Sequence, residues 1–171
     1  MALQAMWVHG HSATIELNGR GRGGVGFDAF KGGPQPGEDV NGIPWTAQLG
    51  LRVGWGVQYR CQDNSYYWFH FAIPTPVIKD NVRARFRQAM ILYTAGNGVT
   101  LNALHVWDGP SRVFARDGLA IGGANLSLVN EKNSFRLPDQ EVFWGVGISV
   151  LFYFADRGDV TLHTAGIDFE A

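Results

Sequence analysis

An all-β fold, an antiparallel β-sandwich of jelly-roll-like form with little helix, follows from three observations on this 171-residue chain. Its 23 glycines are roughly double the usual share and leave little room for an uninterrupted amphipathic helix. Its longest apolar stretches alternate with period two rather than 3.6. Turn signals such as Asp108-Gly109-Pro110 close these stretches at short intervals, as in sandwiches and barrels.

Taken in order, strands are expected at 4–9 and 12–18. The segment 19–44, "GRGRGGVGFDAFKGGPQPGEDVNGIP", is rich in glycine and proline. It reads as a long loop around one short strand at 25–30, inside a single domain spanning 1–171. Strands follow at 50–60, 66–73 and 82–94. The stretch "PVIKDNVRARFRQAMIL" is the one rival for helix, with a short turn around 77–83. "GVTLNALHVWDGP" sets Val99, Leu101, Ala103, His105 and Trp107 on one face of a strand. Strands are then expected at 111–117, 125–129 and 133–137. "WGVGISVLFYFA" puts Val146, Ile148, Val150, Phe152 and Phe154 on one face, and "DVTLHTAGIDFE" pairs with it across a hairpin in which Gly158 supplies positive φ.

The bulk numbers exclude several classes. Fourteen basic against 15 acidic residues give a net charge of −1, without the basic excess that nucleic-acid binding calls for. Cys61 is the only cysteine, so no internal disulfide forms, and a lone cysteine reads as a small buried hydrophobe. The start "MALQAMWVHGHS" lacks a basic n-region and an apolar run, so a cytoplasmic location is expected, with leaderless export still open. No apolar stretch has the length of a membrane span. Walker, GxSxG, HExxH and EF-hand patterns are absent, and no cofactor is expected.

"MALQAMWVHGHS", "RVGWG" at 52–56, "WFHFAIPTPVI" at 68–78, "VWDGPSRVFARDGL" at 106–119 and "FWGVGISVLFYF…VTLHTAGIDF" at 143–169 together resemble a family of small bacterial proteins to which no activity is assigned. The resemblance runs nearly the whole chain in order and departs at 19–44. It implies a single-domain, all-β bacterial protein and brings no catalytic residues to carry over.

Function must then be argued from side chains. "SYYWFHFAIP" (65–74) cannot place all its rings in one core. Tyr67, Phe69, Phe71 and Ile73 share one strand face, and Tyr66, Trp68, His70 and Ala72 share the other. Of the six tryptophans, Trp7, Trp107 and Trp144 fall in or beside apolar strand patterns and are expected in the core. Trp45 and Trp55 sit among turn residues and are expected as exposed platforms, with Tyr66, Trp68 and His70 beside them. Polar-tipped aromatics suit a sugar, whose CH face stacks on a ring while polar neighbours take its hydroxyls. Arg83, Arg85 and Arg87 alternate in "VRARFRQAM" and would form a cationic stripe on a strand, either for an anion or an acidic patch or simply as a solvated face.

His9 and His11, two apart with Glu16 beyond, have the spacing of a β-sheet metal pair, but ordinary strand histidines explain them as well. Asp108, Asp117, Asp139, Glu141 and Asp156 stand in turn-like contexts, so no paired catalytic acids are identifiable. The reading is a non-catalytic, lectin-like binding module for carbohydrate. The alternative is a self-assembling subunit of a homo-oligomer, with a neighbouring copy covering the second aromatic face. A His-based metal enzyme is a weaker third.

Overall fold

The structure, a computed structural model, describes residues 2–16, 39–40, 43–44, 50–61, 64–122, 125–156 and 158–171. The expected strand at 25–30, most of the 19–44 loop and Trp45 lie outside the described residues.

Two antiparallel sheets face each other. The first runs in the order β5 (Leu51–Val53), β6 (Gly56–Arg60), β16 (Asp159–Glu170) and β10 (Arg85–Ala95), flanked by β13 (Asn125–Leu126) and β14 (Ser134–Arg136). β1 (Leu3–His9) pairs with the C-terminal half of β16, beyond the stretch that β6 occupies. The second sheet runs β12 (Ser111–Gly122), β11 (Val99–Asp108), β15 (Val146–Phe154), β7 (Ser65–Ile73) and β2 (Thr14–Ile15). Two-residue ladders join β3 (Asp39–Val40) to β4 (Ile43–Pro44), and β8 (Ile78–Lys79) to β9 (Val82–Arg83).

The pairs β11·β12, β10·β13/β14, β7·β15 and β6·β16 nest outward from one hairpin and alternate between the two sheets. That is the jelly-roll arrangement, so the expected fold is the observed one.

The core lies between the sheets. Tyr67, Phe69, Phe71 and Ile73 of β7 are buried, as are Val146, Ile148, Val150, Phe152 and Phe154 of β15. Phe86, Tyr93 and Phe169 fill the facing sheet's inner side, with Tyr93 and Phe152 meeting edge to face at 5.1 Å between centroids. Cys61 is buried, and burial pushes its thiol pKa up, as fits an inert core residue. Among the described residues no helix is long and apolar enough to cross a membrane.

Several expectations need correcting. Among the described residues of the stretch 12–18, a strand forms at 14–15 alone; a 3-10 turn at Gly10–Ser12 carries the chain from one sheet to the other. Gly10 is required there, because a Cβ would overlap the carbonyl oxygen of Leu162 on β16. The 77–83 region is a tight hairpin whose central residues, Asp80 and Asn81, take φ of 48° and 62°. Those angles favour the twist of a strand pair and rule out a helix. β15 and β16, expected to pair across a hairpin, lie in different sheets, β15 between β11 and β7 and β16 between β10 and β6. Gly158 has no positive φ, and its lack of a side chain instead admits the carbonyl oxygen of Asn97.

Two tryptophans expected in the core lie on outer faces. Trp7 is half-buried and lies across Gly166. Trp107 is half-buried because a bulge between Leu101 and Ala103 reverses the strand's parity. Leu104 and Val106 therefore continue the inner face, and Ala103, His105 and Trp107 turn outward. Trp144 is 66% exposed: it precedes β15 in a loop rather than extending the strand.

Candidate binding face on the five-stranded sheet

The outer side of the five-stranded sheet gathers the polar-tipped aromatics of β7 with residues from three other strands. Register fixes the rows across it. Trp107, Gly147 and Ala72 lie side by side on β11, β15 and β7. In the next row stand His105, Ser149, His70 and Thr14. Trp68 and Leu151 come after that, and then Tyr66 and Tyr153.

The first row makes a floor. Ala72 and Gly147 contribute almost no side chain, and a Cβ at Gly147 would approach nothing closer than the Phe71 carbonyl oxygen at 3.6 Å. Above it is a shallow trough of about 580 Å³, bounded by Trp107 on one side and by Ser12 and Thr14 on the other. From β11 to β2 is three strand spacings, about 14 Å, which is wide enough for a sugar ring and its hydroxyls. Arg112 stands 5.9 Å from the Trp107 ring centroid, at the long end of a cation–π contact.

The second row is polar and internally connected. The His70 imidazole reaches Glu16 through Nε2 at 3.3 Å and Ser149 Oγ through Nδ1 at 2.9 Å. A neutral His70 donates Nε2–H to the carboxylate, which leaves Nδ1 to accept from the Ser149 hydroxyl. The Ser149 lone pairs are then the part of that group offered to the trough. On the far side His105 Nε2 lies 2.8 Å from Asp117, and the His105 ring packs against Trp68 at 4.8 Å. Serine thus sits between two histidines, each braced by a carboxylate.

Ser149, His70 and Glu16 have the connectivity of a hydrolytic triad, but not its setting. Ser149 is in the middle of β15, which is laddered on both sides. The neighbouring backbone N–H groups are therefore engaged in the sheet and not aimed at a developing oxyanion.

The other sequence candidates are distributed as follows. Tyr66, 37% exposed, stacks on Tyr153 at 4.6 Å. Trp68 and His70 are half-buried on the same face. Trp55, 67% exposed, is at the tip of the β5–β6 hairpin in the other sheet. The arginines do not join the face. Arg83 lies 4.7 Å over the Phe143 ring and donates to the Val142 carbonyl at 2.9 Å. Arg85 pairs with Asp139 at 2.6 Å, and Arg87 with Asp139 at 2.9 Å and with Glu170.

His9 ends β1 and caps the 3-10 turn, and His11 lies within that turn, so the two do not share a strand face. His11 Nε2 meets the Val53 carbonyl at 2.7 Å, and Glu16 turns to His70 instead. Among the described residues no three His, Cys, Asp or Glu side chains converge as a metal site requires.

Sequence reasoning missed Trp107, Gly147 and Ser149. Trp107 was two residues from a histidine, in phase with it, which is a signal of a shared outer face. Gly147 and Ser149 carried no signal until their neighbours across the sheet were known.

Asp108 also differs from expectation. Gly109 and Pro110 form an exposed turn, but Asp108 itself is buried and accepts the N–H groups of Phe143 and Trp144 at 2.7 Å each. It pins the loop that holds Trp144 against Gly109, beside the end of the trough.

No protein-family model and no curated protein matches this chain.

Proposed function

We propose that this chain is a non-catalytic carbohydrate-binding module whose ligand lies in the trough on the five-stranded sheet. The observation that carries the reading is the floor of Ala72 and Gly147 set between the Trp107 indole and the hydrogen-bonding row of His70 and Ser149. A pyranose offers the complementary surfaces: an apolar CH face for the indole and hydroxyls for polar side chains. The Glu16–His70–Ser149 hydrogen bonds and the separate His105–Asp117 pair hold these side chains in place in advance, which lowers the entropic cost of binding. The laddered backbone around Ser149 favours binding over acyl transfer.

A glycan array probed with the wild-type chain, Gly147→Val and Trp107→Ala tests this. The wild type is expected to retain at least one class of glycan that both variants lose, with Gly147→Val melting as the wild type does. An array on which the wild type is silent, or on which Gly147→Val binds equally well, overturns the reading.

A second reading, self-assembly, is favoured by Phe143 and Trp144, adjacent rings that are 52% and 66% exposed. In that case the solution mass is a multiple of the monomer and Trp144→Ser reduces it.

A further inference from the structure

A second concavity lies on the opposite edge of the same sheet. β12 is the free edge of the five-stranded sheet, and β14 flanks β10 in the other, so the sandwich is open between them. The gap is a cleft of about 310 Å³, at the small end of the roughly 300–1,000 Å³ range of ligand pockets.

Its apolar wall comes from Phe114, Leu119, Ile121 and Phe135. Phe114, Leu119 and Ile121 are partly buried against the main core, so the wall is continuous with the protein interior. Three cations, Arg116, Lys132 and Arg136, line the same cleft against one carboxylate, Glu131. Among the described residues none of the three has an acidic partner within ion-pairing distance. Elsewhere in the molecule Arg85 and Arg87 are paired in the chain itself.

Arg116 is the most informative of them. It stands opposite Leu104, which is fully buried, so it occupies the inner face of β12. At an interior strand that position would be core; at the free edge it carries a charge to the lip of an apolar cleft.

The geometry points to a binding site for a small organic anion with an apolar body, of the size and kind of a medium-chain carboxylate. The body lies on Phe114, Leu119, Ile121 and Phe135 in place of water, and the head group meets Arg116, Lys132 and Arg136 at the rim. This site is separate from the trough and does not depend on what the trough binds. The competing role for Arg116 is protection of the free edge against strand pairing, for which inward charges on edge strands are a known device.

Titration calorimetry with decanoate below its micelle concentration, and with decanol as the uncharged control, tests the proposal. Saturable one-to-one binding of decanoate is expected, with decanol about tenfold weaker, the effect of two or three exposed ion pairs. The triple variant Arg116→Ser, Lys132→Ser, Arg136→Ser is expected to lose about the same factor for decanoate and nothing for decanol. Leu119→Trp, which fills the cleft, is expected to remove both. The proposal is overturned if decanoate does not saturate, if decanol binds equally well, or if the triple variant keeps wild-type affinity. It is also overturned if loss of Arg116 changes only the solution mass, in which case the charge guards the edge.

Discussion

β7 and β10 occupy comparable places, each inside one sheet with an apolar inner face and a polar outer one, and their outer faces behave in opposite ways. On β7, the polar tip of His70 is held by Glu16 and Ser149, and that hydrogen-bonded row borders a trough with a bare floor. On β10, Arg85 and Arg87 reach carboxylates of the same chain, Asp139 and Glu170. Both stretches attract attention in the sequence. The difference lies in what surrounds them: small residues beside β7 leave a concavity, whereas acidic residues beside β10 neutralise the cations. Charge alone therefore does not make a ligand face. A cation already paired in the chain must lose that partner before it binds another.

The largest effects should separate the inner face of β7 from its outer face. Phe69→Ala empties a fully buried site and should cost about 3–5 kcal/mol in denaturant unfolding. Trp68→Ala, on the half-buried outer side, should cost on the order of 1 kcal/mol and weaken glycan binding through His105, against which Trp68 packs. Equal losses of stability, with no separate loss of binding, would make the outer face a second core layer and break the comparison.

The inner face of β10 offers a smaller and opposite effect. The Tyr93 hydroxyl is buried with no hydrogen-bond partner among the described residues, and burial pushes its pKa up. Tyr93→Phe should leave stability unchanged or raise it by up to about 1 kcal/mol, since an unsatisfied buried donor is removed. A clear loss in the same unfolding assay would mean that the hydroxyl is satisfied in solution.

On the outer face of β10, Arg85→Ala and Arg87→Ala should each lower the melting temperature slightly and leave glycan binding unchanged. If either abolished binding as Gly147→Val is expected to, the arginines would belong to the site after all.

The smallest effects concern two carboxylates whose pKa values are shifted in opposite directions. Hydrogen bonds from Arg85 and then Arg87 hold the Asp139 pKa below the usual aspartate value. Its contribution to stability is therefore present above the ordinary pKa and lost as pH falls through the folded one. Asp168, beside Gln88 on the seven-stranded sheet, has its pKa raised by burial. Its ionised form opposes folding above the folded pKa, and that cost disappears below the ordinary value. Melting temperatures across pH should therefore show Asp139→Asn below the wild type at neutral pH and Asp168→Asn at or above it. Both differences should close in strong acid. A parallel shift of the two variants would remove the distinction between paired and merely buried acid.

Several things about this protein were determined by the sequence by itself. Period-two alternation and turn residues are local properties, and they placed most of the long strands, the inner faces of β7 and β15, and the all-β sandwich. The outer side of β7 was legible too, because polar-tipped rings alternating with Phe69 and Phe71 can only face away from the core. Tertiary structure alone decided the rest. A one-residue bulge at Asn102 moved Trp107 outward, because parity in a strand reverses with each inserted residue. Only pairing in register put Gly147 next to Ala72 and Trp107, and Ser149 between His70 and His105. The partners of Arg85 and Arg87, Asp139 and Glu170, are 52 to 83 residues away in sequence, too distant for any local pattern to connect them. Local alternation fixes which way a side chain points until a bulge in the pairing resets it, and what the side chain meets there depends on which strands the fold brings alongside.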